Sequence, residues 1–222
     1  MLSKKDQKNL VINFNNIYQN SKSSNKLYTD EIVNLINKFN KNNKVRNNLK
    51  ISEKTTLVIS YGNSVTDGSR KSLKVFYGFY KKYLRGSFNT IHFLPFYPSS
   101  SDSGFAVKDH YKIDPRLGSW SDVRKISQIS NVMGDLVINH SSARGLWFSN
   151  FLKNKSPGKD YFFTVDKNFK STNVIRPREH KLLKKINLMG NEKYLWRTFS
   201  PDQIDLNFKN PKVLMRFIKI IL

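Results

Sequence analysis

The chain has 222 residues, with 39 Lys and Arg against 16 Asp and Glu, a formal net charge of +23 and no cysteine. Its hydrophobic fraction of 38% suits a globular core, and the lack of cysteine excludes disulfides and thiolate metal sites. We see no signal peptide and no apolar run near the roughly 20 residues of a membrane-spanning helix. We therefore expect a cytoplasmic protein with no membrane partner.

The basic residues are spread along the chain rather than clustered. They fall in separate stretches such as SKKDQ, NKFNKNNKVR, YKKYLR and HKLLKKI. Because binding to phosphate groups requires clustered positive charge, this distribution disfavours a nucleic-acid partner. A basic nucleic-acid-binding protein stays open only as an alternative function.

The N-terminal segment, residues 1–54, is predicted to be helical. Apolar positions recur at helical spacing in residues 10–17 and again in residues 32–39. The polar stretch NSKSSNK is predicted to separate the two helices. The stretch TTLVISYG, residues 55–62, then predicts a buried strand, because it is rich in β-branched residues and ends at a glycine.

Strands and helices alternate from here to residue 140. SLKVFYGFYKKYL predicts a helix, TIHFLPF a second strand, GSWSDVRKISQIS a helix capped by Ser121, and VMGDLVINH a third buried strand. This alternation predicts parallel strands joined by crossover helices. Function in such folds sits at the C-terminal ends of strands, so PFYPSSSDSGF and NHSS should share one rim.

Residues 141–200 break the alternation and predict an irregular inserted segment with short β pieces. Residues 201–222 return to helix, with Pro211 near the helix start. We expect this last helix to carry an apolar face that nothing in the chain covers, formed by Leu214, Phe217, Ile218 and Ile221.

Three segments together resemble the sucrose phosphorylase branch of the family 13 glycoside hydrolases, the α-amylase superfamily. They are HFLPFYPSSSDSGFAVKDHYKIDPRLGSW at 92–120, DLVINHSS at 135–142 and WRTFSPDQIDLNFKNP at 196–211. The resemblance implies an α/β fold, the N-terminal part of a (β/α)8 TIM barrel with an irregular domain inserted after the third strand. The implied domains are an N-terminal helical segment (1–54), the first barrel strands and helices (55–140), the inserted small domain (141–200) and the return toward the barrel (201–222).

The resemblance also implies a site for a glucosyl ring. In it Asp102 hydrogen-bonds sugar hydroxyls, Phe105 forms an apolar platform and His140 donates to the outer hydroxyl, while Gln203 lies near the acceptor. A carboxylate suits the first role because it accepts from two neighbouring hydroxyls at once. Plainer alternatives remain: a turn residue for Asp102, core packing for Phe105 and a structural hydrogen bond for His140.

Other motif residues are assigned to supporting the site. They are Gly104, Asp109, His110, Asp135, Asn139 and Asp205, with Gly104 allowing a tight backbone turn. Arg176 and Arg178 are candidates for an anionic acceptor or phosphate, although a solvated loop is their plainer reading. The resemblance implies no metal and no cofactor, with inorganic phosphate as a co-substrate.

The implied activity is that of an α-glucoside phosphorylase acting by retaining double displacement, with sucrose as the default donor. Glucosylglycerate phosphorylase, an amylase-type hydrolase and a non-catalytic remnant remain alternatives. A retaining mechanism needs two carboxyl groups about 5–5.5 Å apart. The resemblance places both beyond Leu222, so we expect no catalytic residue here, no turnover by this chain alone and a complementing C-terminal half as partner.

Overall fold

The computed structural model describes residues 1–19, 21–43, 51–101, 103–176 and 178–222, so the predicted sugar-binding Asp102 lies outside the described residues. The chain forms two compact units, Met1–Lys50 with Asn207–Leu222, and Ile51–Leu206. The domain boundaries predicted above, with an insertion over 141–200, stay a prediction.

The secondary structure begins with two helices and then alternates. The helices are α1 (Lys4–Ile17), α2 (Lys22–Asn42), α3 (Ser72–Phe79, continued by a π-helical turn over Tyr80–Leu84), α4 (Trp120–Ser127), α5 (Leu146–Leu152) and α6 (Pro211–Ile221). The strands are β1 (Leu57–Ser60), β2 (Thr90–Phe93), β3 (Asn131–Gly134), β4 (His140–Ser142), β5 (Thr164–Val165), β6 (Leu183–Leu188), β7 (Asn191–Trp196) and β8 (Gln203–Asp205). None of the helices in the described part of the chain is long and apolar enough to cross a membrane.

The first unit packs α1, α2 and α6 around one apolar cluster. Phe14, Tyr18, Ile32 and Met215 are buried in it, and Leu214 and Ile218 pack against it. The prediction that the face of α6 lies uncovered is therefore wrong for Leu214 and Ile218, which pack against the cluster shared with α1 and α2, and for Phe217, which is 2% exposed and contacts Phe208. Ile221, 65% exposed, is the member that remains outside.

The polar stretch NSKSSNK does not separate the helices over its whole length. Ser21 accepts a hydrogen bond at its side chain from the Ser24 amide, so α2 begins at Lys22 inside the stretch. Small polar residues satisfy the free amides of a first helical turn, which is why a polar run can start a helix instead of interrupting it.

The core of the second unit is a parallel sheet in the order β1-β2-β3. Val58 pairs with Ile91 and Ile91 with Val132, and the crossover helices α3 and α4 cover that side of the sheet. Their shared core contains the fully buried side chains Leu73, Phe76, Tyr80, Ile91, Phe93, Val107 and Ile126. The predicted alternation of strand and crossover helix is confirmed.

Two details of this alternation differ from the prediction. The cap of α4 is Ser119 rather than Ser121, because the Asp122 carboxylate accepts from both the amide and the hydroxyl of Ser119. Two of the three strands are not buried: Ile59 in β1 is 59% exposed and Met133 in β3 is 45% exposed. A parallel strand is buried only when both faces of its sheet are covered. In the described residues α3 and α4 cover one face of this sheet and leave the other exposed.

The segment after β3 is more regular than predicted. Strand β4 pairs antiparallel with β8, and β5, β7 and β6 form a second antiparallel sheet. A tight hairpin joins β6 to β7 through Met189 and Gly190, which have φ values of 54° and 84°. The sequence did not reveal this hairpin because a Met-Gly pair is an uncommon loop for two positive φ angles.

Candidate functional site

A cavity of about 490 Å³ opens beside the segment that follows β3. That segment, Asp135–His140, forms one wall, and Phe105, Arg178, Phe199 and Gln203 complete the lining. The volume lies in the range of about 300–1,000 Å³ that small-molecule sites occupy. Three of the predicted substrate-binding residues, Phe105, His140 and Gln203, therefore lie around one cavity.

The pairing of β4 with β8 brings the distant parts of the wall together. His140 stands opposite Asp205, and Ser142 stands opposite Gln203. On its other side β4 holds the loop after β2, because the Val107 carbonyl accepts from the Ser142 amide at 2.9 Å and the Ser141 hydroxyl at 3.0 Å. Residues from three separate segments are thus fixed at one rim.

Gly104 is required by the turn that presents Phe105. Its φ is +82°, and a Cβ at this position would lie 2.5 Å from the Pro95 carbonyl oxygen. A side chain is excluded there by both strain and contact. The permissive role predicted for Gly104 agrees with this geometry.

His140 is buried, with 4% of its surface exposed. Its Nε2 lies 3.0 Å from the Phe105 carbonyl oxygen, which can only accept, so Nε2 carries the proton of that hydrogen bond. Burial is the largest cause that lowers the pKa of His140, against the Phe105 bond and the charge of Asp205, which raise it. In the neutral ring Nδ1 is an acceptor, and it has no hydrogen-bond partner in the part of the chain that the structure describes.

This tautomer bears on the role expected for His140. The sequence-based expectation was donation to a sugar hydroxyl, whereas a neutral ring that already donates through Nε2 can only accept through Nδ1. A buried polar atom without a partner is uncommon in folded proteins. The tautomer is set by a backbone carbonyl, which no sequence motif indicates.

Asp135 and Asn139 lie in the cavity wall and also hold neighbouring strands. Asp135 Oδ1 accepts from His92 Nε2 of β2 at 2.8 Å, and the Asn139 carbonyl accepts from the Leu206 amide at 2.9 Å. Each residue therefore ties the wall to an adjacent segment, which is compatible with the supporting role assigned from sequence.

Asp205 stands opposite His140 in the pairing of β4 with β8 and accepts hydrogen bonds from Thr198. Its carboxylate accepts from the Thr198 amide at 3.0 Å and the Thr198 hydroxyl at 2.5 Å. Burial, the largest cause, raises the pKa of Asp205, and the two bonds from Thr198 and the nearby His140 oppose that shift. These hydrogen bonds fix the turn before β8, and the charge of the Asp205 carboxylate interacts with the imidazole of His140.

His110 and Asp109 support the wall from the loop after β2. His110 Nε2 donates to the Val137 carbonyl at 3.0 Å, its ring stacks on Trp147 at 5.2 Å, and burial lowers its pKa. Asp109 accepts from the Tyr111 amide at 2.9 Å. Since Val137 lines the cavity, His110 acts on the site through the backbone of the wall.

Two lining residues carry information that the sequence left open or missed. Arg178 lies in the wall, whereas the Arg176 guanidinium donates to the carbonyls of Thr198 and His180. Phe199 was not predicted, and its ring lies 4.9 Å from that of His140. The signal for Phe199 was an aromatic residue inside the matched segment, 36% exposed in the structure.

Asp135 is the carboxylate that lines the cavity among the described residues. Within the same residues no group of three or more His, Asp or Glu side chains is arranged to hold a metal ion. The arrangement of this part of the chain offers an apolar ring, an imidazole, an amide and a guanidinium to a ligand, which suits recognition of a polar molecule with an apolar face.

Comparison with known proteins identifies relatives of this chain. The family described as "Alpha amylase, catalytic domain" matches residues 80–221. The glucosylglycerate phosphorylase of Allomeiothermus silvanus is 44% identical over 171 residues, which cover 77% of this chain and 31% of that protein. The sucrose phosphorylase of Agrobacterium vitis is 38% identical over 136 residues, covering 56% of this chain and 28% of that protein.

A solved structure extends the likeness to the fold. The sucrose 6F-phosphate phosphorylase from Thermoanaerobacter thermosaccharolyticum superposes with a TM-score of 0.66 at 28% identity, covering 78% of this chain and 37% of that one. The chain thus spans about a third of the length of the relatives it matches. The predicted fold, part of a (β/α)8 barrel, is confirmed. The chain belongs to the α-amylase family of glycoside hydrolases, on its sucrose phosphorylase-like branch.

Proposed function

We propose that the cavity is the donor-sugar site of an α-glucoside phosphorylase. The observation that carries the proposal is the meeting of Phe105, His140 and Gln203 around one cavity, although the first and the last are 98 positions apart in the sequence. The sequence resemblance assigns Phe105 and His140 to the sugar and places Gln203 near the acceptor.

The chemistry of the wall supports this proposal. A hexose has an apolar C–H face, which the Phe105 ring can cover, and hydroxyl groups, which need polar partners. The Gln203 amide lies in the wall and can both donate and accept. Asp102, assigned to two neighbouring hydroxyls, stays a proposal from the sequence.

For the acceptor side we propose an anionic molecule, with glucosylglycerate favoured as the physiological glucoside. Arg178 in the cavity wall supplies a guanidinium, whose planar fork suits a carboxylate or a phosphate oxygen pair. The glucosylglycerate phosphorylases among the relatives also share 37–44% identity with this chain, compared with 29–38% for the sucrose phosphorylases. Sucrose is the second candidate donor.

The described residues do not include a catalytic pair at the cavity. A retaining displacement needs two carboxyl groups about 5–5.5 Å apart across the sugar, whereas the described lining contains Asp135. We therefore propose that the 222-residue polypeptide binds the donor sugar without turning it over. Turnover then requires further polypeptide, such as a complementing C-terminal half.

Titration calorimetry of the 222-residue polypeptide tests the binding site. Glucosylglycerate and sucrose should bind, and Phe105→Ala or His140→Ala should weaken the binding by about tenfold or more, because each removes one face of the contact. Phe169→Ala is the matched control, since Phe169 is an exposed ring of the same unit that packs on Trp196 and does not line the cavity. No binding of either glucoside would overturn the proposal.

A separate assay tests the lack of turnover. Glucose 1-phosphate release from each glucoside should not exceed the buffer control, with or without phosphate. Release that requires phosphate would show that this polypeptide contains a catalytic pair, and release without phosphate would indicate a hydrolase.

A further inference from the structure

A chain of side-chain hydrogen bonds joins three segments beside the cavity. The Ser100 hydroxyl, in the loop after β2, donates to the carboxylate of Asp202, which precedes β8. The Ser142 hydroxyl, at the end of β4, lies 2.5 Å from the Ser100 hydroxyl. None of these three residues lines the cavity, and none was singled out in the sequence.

We propose that Asp202 is a positioning residue that anchors the loop carrying Phe105 to the rim formed by β4 and β8. The inference rests on the proposed function, because the loop matters only if it holds the sugar. It adds a role for a residue that touches neither sugar nor acceptor and acts through Ser100.

The direction of the hydrogen bonds follows from their two ends. The Arg144 amide donates to Ser142 Oγ at 2.9 Å, so this oxygen is an acceptor there and has its own proton to give to Ser100. Ser100 in turn gives its proton to Asp202, which as a carboxylate only accepts. All the donors therefore point toward one anion, and aligned hydrogen bonds of this kind strengthen one another.

Burial makes the chain of bonds specific. Ser142 is fully buried, so its hydroxyl loses water on folding and depends on protein partners. Asp202 is partly exposed, with 26% of its side-chain surface accessible, and the bond it accepts is of the charge-assisted kind. The Arg144 guanidinium, 3.8 Å away and 76% exposed, adds little because water screens such a pair.

The anchor acts on the loop at the positions that present Phe105. The Ser100 amide donates to the Ala106 carbonyl at 3.0 Å, and the Lys108 amide donates to the Pro98 carbonyl at 2.8 Å, so the loop closes on itself on either side of Phe105. Asp202 also fixes the rim, since its own carbonyl accepts from the Ala143 amide at 2.9 Å. One residue thus holds the loop by its side chain and β4 by its backbone.

Hydrogen exchange of single amides tests the anchor without using any sugar. In Asp202→Ala the Ser100 and Lys108 amides should exchange about tenfold faster, while the amides of β2 stay unchanged, because a local anchor opens locally. Asp202→Asn should restore most of the protection, since its amide oxygen still accepts from Ser100. Asp166→Ala is the control, because Asp166 is an exposed carboxylate of the insertion paired with Lys193.

Sugar titration then tests the consequence for the site. We expect Asp202→Ala to weaken glucoside binding by about tenfold and Asp202→Asn to bind within about twofold of the unmodified chain. If Asp202→Ala fails to fold, Ser142→Ala and Asp202→Asn carry the same comparison. If the unmodified chain binds no glucoside, the proposed function fails, and the exchange measurement still decides whether Asp202 anchors the loop.

Two results would overturn the inference. One is unchanged exchange at Ser100 and Lys108 in Asp202→Ala, and the other is equal loss in Asp202→Asn and Asp202→Ala. The first would show that the loop holds itself, and the second that the hydrogen bond to Ser100 is not what matters.

Discussion

The two faces of the parallel sheet carry similar side chains and have different surroundings. Ile91 and Phe93 point toward α3 and α4 and are fully buried, whereas Ile59 and Met133 point the other way and are 59% and 45% exposed. Apolar composition therefore identifies these stretches as strands without telling which face is covered. Cover depends on other segments, and only tertiary structure reveals it.

The open face also leads toward the cavity. His92 lies between Ile59 and Met133 in the register of the sheet and hydrogen-bonds Asp135, which lines the cavity. The polar pair thus marks the change from an apolar sheet face to a ligand-binding rim. The buried face has no such pair, which is typical of a face that serves packing alone.

Deleting the largest side chain of the covered face should give the largest effect. Phe93→Ala is expected to lower the free energy of unfolding by about 3–5 kcal/mol, because it leaves a cavity among Phe76 and Phe96. Urea unfolding followed by circular dichroism measures the change. Met133→Ala, the matched change on the open face, should cost about 1 kcal/mol or less. Equal losses in both variants would break the contrast between the faces.

Substitution of Gly104, in the loop after β2, should have the next largest effect on the free energy of unfolding. Gly104→Ala is expected to cost about 2–4 kcal/mol, because a left-handed residue is strained and its Cβ meets the Pro95 carbonyl. Gly190→Ala has a similar φ of +84° with open space around it, so it should cost about 1–2 kcal/mol from strain alone. The difference, measured by urea unfolding, isolates the contact. No difference would mean that the loop yields freely.

Acid should lower the free energy of unfolding of the second unit through two buried histidines, His110 and His140. Burial holds the pKa of His110 and of His140 below 6.5, so the unfolded chain binds more protons once the pH falls below that value. The free energy of unfolding should therefore fall between about pH 7 and about pH 5, and His110→Gln or His140→Gln should flatten the slope.

Asp205 provides an internal check on this acid effect. Its raised pKa works in the opposite direction, since the cost of burying its charge disappears as the pH falls through that pKa. Asp205→Asn should therefore steepen the loss of stability with acid. A profile that none of the three variants changes would contradict the assignment.

The open face should give the smallest effect on stability. Ile59→Ser is expected to change the free energy of unfolding by no more than about 0.5 kcal/mol, because the side chain is already mostly in water. Urea unfolding measures this change, and sedimentation velocity should show equal or weaker self-association. A loss as large as that of Phe93→Ala would mean that another copy of the chain covers this face.

The sequence predicted the parts of the fold that depend on local pattern. The apolar runs and the glycine after β1 indicated the parallel strands, and Pro211 marked the start of α6 within one residue. Phe105 and His140, both quoted in the resemblance, follow neighbouring parallel strands, whereas Gln203 reaches the same cavity through the antiparallel pairing of β8 with β4. The predictions of the strands and of the helix start needed no knowledge of which segments pack together.

What the sequence did not reveal depends on partners far along the chain. The exposure of Met133 and the packing of Leu214 and Ile218 depend on which other elements lie against them, and the position of the proton on His140 Nε2 depends on a backbone carbonyl. Ser119 competes with Ser121 for the helix cap, and only the position of Asp122 decides between them. The Met189–Gly190 hairpin was missed because its loop sequence is uncommon.

The first unit, Met1–Lys50 with Asn207–Leu222, is discontinuous in sequence, and this has a consequence for biosynthesis. Phe14 and Ile32 emerge from the ribosome early, yet Met215, with which they share a buried cluster, is added almost two hundred residues later. The second unit, Ile51–Leu206, is by contrast one continuous stretch. Because domains generally fold as units during translation, the second unit can form before α6 is available to pack against α1 and α2. The buried cluster that α1 and α2 share with α6 is thus completed only after the whole of the second unit has been translated.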